Sequence, residues 1–195
     1  MKVYMLRHGQ IKANTTYTYC GVTDEPLTDE GIEQLKSLKA KGGYPSAEGL
    51  EIYTSGLART EQTLQVLYGD IPHSVEPAFR EMNFGAFEGF SYDQLKDRED
   101  YQAWISGDHM ANRCPGGESG NDMKARVLAG LKKLLERGKD CLVVCHGGTI
   151  ANVFNEYFPN SGLNWYEIQP SNGTGYCFTF DGSKALNWER IPHAM

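Results

Sequence analysis

An α/β fold, with helices on both faces of a mostly parallel central sheet in three α/β/α layers, is predicted by the sequence of this 195-residue chain, and three observations carry the prediction. Short apolar strands alternate with amphipathic helices along the chain. One of those strands, Cys141 to Cys145, is apolar throughout, as a strand buried on both faces requires. No internal repeat, low-complexity tract or linker interrupts the pattern. At about 150 residues per domain, the length leads us to expect one domain spanning 1–195.

Lys2 to Leu6 reads as the first strand, followed by a polar loop from Gly9 to Glu25. Thr28 then caps a helix with Asp29 and Glu30 in its first turn, a stripe of Ile32, Leu35 and Leu38, and Gly42 as its stop. Leu50 to Thr54 is the second strand. The helix after it carries Leu57, Leu64 and Leu67 and ends at Gly69. A third strand is expected from Ser74 to Phe79. The turn from Phe84 to Phe90 is rich in Gly and Phe, and Ser91-x-x-Gln94 is a capping box opening a short helix, so a lid-like insertion is expected at about 84–114. From Ser119 to Gly138 runs the clearest amphipathic helix, with Met123, Val127, Leu131, Leu134 and Leu135 at helical spacing. After the Cys141 to Cys145 strand, Thr149 to Phe158 returns to helix. Trp165 to Gln169 and Gly175 to Asp181 read as strands, the latter opening a hairpin at Asp181-Gly182.

Composition narrows the function. Acids outnumber bases 25 to 19, a formal charge of −6 that opposes adhesion to nucleic acid or to an anionic membrane. The longest apolar run is five residues and the chain enters a strand-like segment at once, so neither a membrane span nor a secretory leader is expected and the cytoplasm is the expected location. Five cysteines, Cys20, Cys114, Cys141, Cys145 and Cys177, are odd in number and form no CxxC pair. A disulfide framework or zinc site is therefore not expected, and Cys141 and Cys145 read as small apolar residues of their strand.

Ligands of such sheets bind beyond the carboxyl ends of the parallel strands. Arg7-His8-Gly9 follows the first strand, Ser55-Gly56-Leu57-Ala58-Arg59 the second, and His146-Gly147-Gly148 the apolar one. Each alone has a bland reading: a packed histidine, a solvated helix charge, a tight glycine turn. Their coincidence places two arginines and two histidines at one edge of an acidic protein, where guanidinium forks match phosphate oxygens. Phosphoryl transfer needs mainly positioning and charge stabilisation, and a neutral imidazole can attack phosphorus itself. No metal and no cofactor are then required. An acid for the leaving alkoxide is offered by Glu81 or Glu88, either of which reads equally as a surface carboxylate.

Leu6-Arg7-His8-Gly9, Asn14, Asp24 to Thr28 with Gly31, Thr54 to Thr60 with Thr63, Glu81 to Gly89, Pro115 to Ser119 and Val144 to Gly148 resemble, in order, the motifs of the histidine phosphatase superfamily, the phosphoglycerate-mutase-like proteins. The resemblance runs from residue 3 to about residue 155. It implies a phosphoglycerate mutase-like fold with His8 as phosphorylated nucleophile, Arg7, Arg59 and His146 as phosphate pocket, Glu81 as general acid and base, and Asn14 as a further phosphate contact. It also implies a structural role for the Pro115 to Ser119 turn and demotes Glu88. Ile11 departs from the family's usual Thr and removes the hydroxyl found there.

Glu81 to Gly89, Tyr101-Gln-Ala-Trp104 and Pro-Gly-Gly-Glu-Ser are most similar to the α-ribazole phosphatase and small-molecule phosphatase branch. Phe84, Phe87, Phe90, Tyr92 and Trp104 are candidates for an aromatic wall against an apolar part of the substrate, or for plain core. The expected partner is a small-molecule phosphomonoester, with nucleic acid and membrane excluded and a homodimer left open. Three readings compete: a metal-independent phosphatase, a cofactor-dependent phosphoglycerate mutase, and a non-catalytic phospho-ligand module. The last has no use for both a nucleophile and an acid. Against a mutase, Glu88 to Cys114 holds six acids and only Lys96, Arg98 and Arg113 as bases, whereas the mutases it resembles carry a longer insertion with paired arginines. Arg80 and His109 are the remaining cations that can supply a second phosphate site.

Overall fold

A computed structural model describes residues 1–108 and 110–193, so His109 lies outside the described residues. The elements are β1 (Lys2–Arg7), α1 (Lys12–Thr16), α2 (Asp29–Lys41), β2 (Glu51–Thr54), α3 (Ala58–Tyr68), β3 (Ser74–Val75), α4 (Tyr92–Leu95), α5 (Glu99–Ile105), α6 (Gly120–Arg137), β4 (Cys141–Cys145), α7 (Gly147–Tyr157), α8 (Trp165–Ile168), β5 (Gly175–Asp181) and β6 (Lys184–Ile191). Six strands form one sheet in the order β3-β2-β4-β1-β5-β6. The first four run parallel, with Val3 opposite Cys141 and Ile52 opposite Leu142, while β5 and β6 run antiparallel.

Strand periodicity splits the core into two halves. Val3 and Met5 face one side with Cys141, Val143 and Cys145, where α6 and α7 add Met123, Val127, Leu131, Ile150 and Phe154. Leu6, Ile52, Leu142 and Val144 face the other, against Leu35 of α2 and Leu64 and Leu67 of α3. All five residues of β4 are buried because β4 lies between β2 and β1 with helices above and below. Cys141 and Cys145 pack there as expected; burial pushes the Cys141 thiol up to about 12. Among the described residues, no helix is long and apolar enough to cross a membrane.

The caps behave as read. Thr28 Oγ1 accepts from Gly31 N at 3.0 Å and α2 ends at Gly42, while Ser119 and Asp122 exchange bonds at the start of α6. Three segments differ. The Gly9 to Glu25 loop contains α1, whose first turn is closed by Asn14 Oδ1 accepting from Ile11 N. Ser74 to Phe79 pairs only at Ser74–Val75, because Pro77 has no N–H for the ladder and opens a 3-10 turn over Pro77–Phe79. Of the expected strand Trp165 to Gln169, Trp165 to Ile168 is helix: Asn164 accepts from Tyr166 N and Glu167 N, and Glu167 accepts from Asn164 N, so a capping box overrides the aromatic β-propensity. The Asp181-Gly182 hairpin is present, between β5 and β6.

Arg126 of α6 fixes the segment that leads into Glu81. Its guanidinium forks onto Glu118 at 2.9 and 2.8 Å and donates to the carbonyls of Ala78 and Arg80, each at 2.9 Å. Removing it takes a donor from a half-buried carboxylate and from the carbonyls of Ala78, Arg80 and Glu81. We expect Arg126→Met to lower stability by about 2 kcal/mol in urea denaturation, a value reduced from that of a fully buried pair because both side chains keep some solvent contact. A loss within experimental error would contradict this account of the turn.

Candidate active site

Because β1, β2 and β4 are parallel, the residues after them meet at one edge. His8 N donates to Cys145 O and Ser55 N to Val144 O, which bring the first and second loops beside His146. The His8 and His146 rings lie 5.2 Å apart at 61°. Since β5 runs the opposite way, its start reaches this same edge. There Asn172 Nδ2 donates to the carbonyls of His8 at 3.0 Å and Gly9 at 3.3 Å, Gly173 N donates to Arg7 O, and Arg7 Nη1 donates to Pro170 O.

Hydrogen bonds fix the proton on each imidazole. His8 Nδ1 lies 2.7 Å from Gly9 O, which only accepts, so Nδ1 carries the proton and Nε2 keeps its lone pair. Arg59 Nε only donates, and it donates to His146 Nδ1 at 3.3 Å. His146 Nε2 must therefore donate to Ser55 Oγ at 2.8 Å, Ser55 to Thr60 Oγ1 at 3.2 Å, and Thr60 to Leu57 O at 2.7 Å. The donor-only guanidinium at one end and the carbonyl at the other leave this chain a single direction. Burial, reinforced by Arg59 and Arg7, holds His8 well below the usual histidine range. Burial does the same to His146, with His8 and Arg59 adding to it, so both rings are neutral.

Two arginines stand at this edge, with Glu81 as the nearby carboxylate. Arg59 is fully buried, its Nη1 and Nη2 donating to the carbonyls of Thr23 and Gly21. Neither Arg59 nor Arg7 makes an ion pair with a carboxylate among the described residues, and Arg7 Nε is buried with no partner at all. Such groups are costly unless an anion completes them. Glu81 stands at the start of α7: its carboxylate accepts from Gly148 N and Met82 N, each at 3.0 Å, and a methyl group at Gly148 would overlap it. The N-terminus of α7 and the two arginines together suit an anion. Among the described residues, no group of three His, Cys, Asp or Glu side chains is arranged to hold a metal.

The structure brings His8, His146, Arg7, Arg59 and Glu81 to this edge and gives the remaining sequence candidates other surroundings. Asn14 Oδ1 is occupied by Ile11 N and Asn172 Nδ2, leaving only its amide N–H groups for a ligand. Ile11 is buried in the core beside Leu27. Glu88 accepts from the backbone of Gly21, Val22, Thr23 and Phe84 and from the Thr23 hydroxyl at 2.6 Å, so it organises the very loop whose carbonyls hold Arg59. A side chain at Gly21 would run into Met82 O, which keeps that loop pressed on the Glu81 turn. Of the aromatic candidates, Phe87 is core, Phe90 and Tyr92 are exposed, and Phe84 and Trp104 pack with Tyr19 beside this loop. Asn172 carries no sequence signal, and Ser55 is named by the sequence only as the start of the segment after β2, with no role of its own. Ser55 directly follows β2, the signal used for His8, whereas Asn172 precedes an antiparallel strand.

Two neutral buried histidines impose a pH dependence on stability. As pH falls below 6.5 the unfolded imidazoles take up protons that His8 and His146 resist, so stability declines as pH is lowered from 6.5 to 5. His73 acts oppositely: hydrogen bonding to Ile71 O and to Glu61 raises its pKa, and its contribution is complete below 6.5 and lost only as pH rises through its folded value. Between pH 6.5 and 5 His73 therefore does not produce this decline, and the His8→Asn comparison separates the buried pair from the carboxylates. Urea denaturation should show this slope, less steep in His8→Asn; a flat wild-type profile would contradict neutral burial.

The chain also matches known proteins. Residues 3–189 match the Histidine phosphatase superfamily (branch 1). The chain is 30% identical over 158 residues to the Adenosylcobalamin/alpha-ribazole phosphatase of Salmonella typhimurium strain LT2, covering 77% of this chain and 76% of that one. It is 31% identical over 154 residues to a Yersinia pestis (strain Pestoides F) protein named "Probable phosphoglycerate mutase GpmB", covering 75% and 70%. Among solved structures, the alpha-ribazole phosphatase of Shigella flexneri superposes with a TM-score of 0.80 at 25% identity over 95% of this chain and 93% of that one. With its fold, its ordered motifs and its relatives in agreement, the chain belongs to the histidine phosphatase superfamily.

Proposed function

We propose that this enzyme hydrolyses a small-molecule phosphomonoester in the cytoplasm through a phosphohistidine on His8, with α-ribazole phosphate as the candidate substrate. The observation that carries this reading is the bare Nε2 lone pair of a neutral, buried His8 beside two arginines that lack a carboxylate partner. In the first step Nε2 forms a bond to phosphorus while the ester P–O bond breaks and a protonated Glu81 gives its proton to the departing oxygen. Arg7 and Arg59 donate to the phosphoryl oxygens, with the amide N–H of Asn14 as a further donor, while His146, whose two ring nitrogens are taken by Arg59 and Ser55, positions Arg59 instead of contacting phosphate as the motif resemblance implied. In the second step water attacks phosphorus, its proton passes to the Glu81 carboxylate, and the P–N bond breaks, leaving phosphate and free His8. Binding of α-ribazole phosphate is supported by the Salmonella relative's name and by the Tyr19, Phe84 and Trp104 rings beside the Gly21 loop.

Phosphoglycerate mutase activity is the second reading, supported by the names of the Yersinia relatives. A mutase must hold a second phosphate while the first transfers. Among the described residues of 88–114 the lysine and arginines are already engaged: Lys96 with Asp93, Arg98 with Asp100 and Arg113 with Asp122. Arg80 is turned under, its Nε donating to Ser55 O at 3.1 Å. These pairings favour release of the product. Phosphate release from phosphomonoesters, α-ribazole phosphate included, should outpace interconversion of 3- and 2-phosphoglycerate with bisphosphoglycerate present; the reverse order would overturn the assignment.

Rapid quench at alkaline pH followed by intact-mass analysis should find one acid-labile phosphoryl adduct in the wild type and none in His8→Ala. An adduct that persists in His8→Ala would sink the mechanism. Glu81→Gln should slow alkyl phosphates by about 10²- to 10⁴-fold while sparing p-nitrophenyl phosphate, whose leaving group needs no proton. Equal losses on both would assign Glu81 a purely positional part.

A further inference from the structure

Gln169 follows α8 and stands where neither the strand-end rule nor the motifs point. A methyl group built on Gly147 would come 3.0 Å from Gln169 Oε1 and 3.4 Å from both Nε and Cζ of Arg7, so the carboxamide and the guanidinium are neighbours at the first turn of α7. The next residue, Gly148, faces Glu81 instead. Gln169 and Glu81 therefore flank the start of α7, with Arg7 on the Gln169 side. The Gln169 side chain is half-buried, yet its amide makes no hydrogen bond with any described residue, and the adjacent Arg7 Nε is likewise without a partner.

Its backbone is held from both directions. Tyr176 donates its hydroxyl to Ile168 O at 2.8 Å, Gln169 N donates to Trp165 O, and Arg7 Nη1 donates to Pro170 O. The backbone that carries the side chain is therefore fixed beside Arg7. A carboxamide also suits the place chemically: it can donate to a phosphoryl oxygen without neutralising the arginines, which a carboxylate would do.

Resting on the phosphatase reading above, we propose that Gln169 binds the transferring phosphoryl group, its amide donating to an oxygen shared with Arg7 on the side away from Glu81 and the leaving group. Phosphate is then gripped by donors of both the β1 loop and the segment before β5, and Gly147 is required because any larger residue would fill the space between them.

Inorganic phosphate binding, measured by calorimetry, and turnover of p-nitrophenyl phosphate test this in wild type, Gln169→Ala and Gln169→Glu. Gln169→Ala should weaken phosphate binding and lower kcat/KM by about tenfold, as loss of one hydrogen bond to a charged group does. Gln169→Glu should lose about tenfold more at pH 7.5, and that extra loss, taken relative to wild type at each pH, should shrink as pH is lowered to 5 and the new carboxyl protonates. Both variants within twofold of wild type, or Gln169→Glu no worse than Gln169→Ala at any pH, would overturn the assignment while leaving the phosphatase reading intact. A wild type that neither binds phosphate nor releases it from esters would overturn both.

Discussion

The chain of hydrogen bonds from Arg59 Nε through His146, Ser55 and Thr60 to the carbonyl of Leu57 is the constraint on which the site depends. It buries a guanidinium beside an imidazole and lets them coexist only because the imidazole is neutral and accepts from the cation. Protonating His146 would leave Arg59 Nε without its acceptor and place two like charges in contact. Arg59 is therefore held rigid, with two backbone carbonyls on its far side and no carboxylate to discharge it. An arriving phosphoryl group meets positive charge that is already oriented, so little reorganisation remains for the chemical step.

Two glutamates show how the surroundings assign different work to the same side chain. Glu88 is saturated by four backbone N–H groups and a hydroxyl, and its work is to shape the Gly21 to Thr23 loop whose carbonyls hold Arg59. Glu81 accepts only two backbone N–H bonds, from Met82 and Gly148, and retains lone pairs for a proton in transit. The Arg126–Glu118 pair beneath it carries the turn that aims it. Both carboxylates are thus tied to the phosphate pocket, one through geometry and one through chemistry.

Much of this was legible in the sequence because the signals were local. Thr28, Gly42 and Gly69 bound two helices through cap chemistry, and the five apolar residues of β4 declare a strand buried on both faces. Once β1, β2 and β4 are parallel, Arg7, His8, Ser55, Arg59 and His146 must gather at one edge. Less legible was whatever depends on strand direction or competing local bonds. The start of β5 reaches the site only because β5 is antiparallel, so Asn172 and Gln169 carried no strand-end signal. Trp165 to Ile168 has the residues of a strand and is made helical by the Asn164 and Glu167 caps. The polarity of the Gly9 to Glu25 loop likewise hid α1, whose turn rests on one asparagine.

The most direct test of the central claim is the protonation and tautomer of the two buried rings, read at pH 6.5 by long-range proton–nitrogen correlation NMR on protein labelled with ¹⁵N in histidine. His8 should show the neutral Nδ1–H form and His146 the neutral Nε2–H form, so the two should give opposite patterns. An imidazolium pattern at either ring, or the same tautomer at both, would contradict the account.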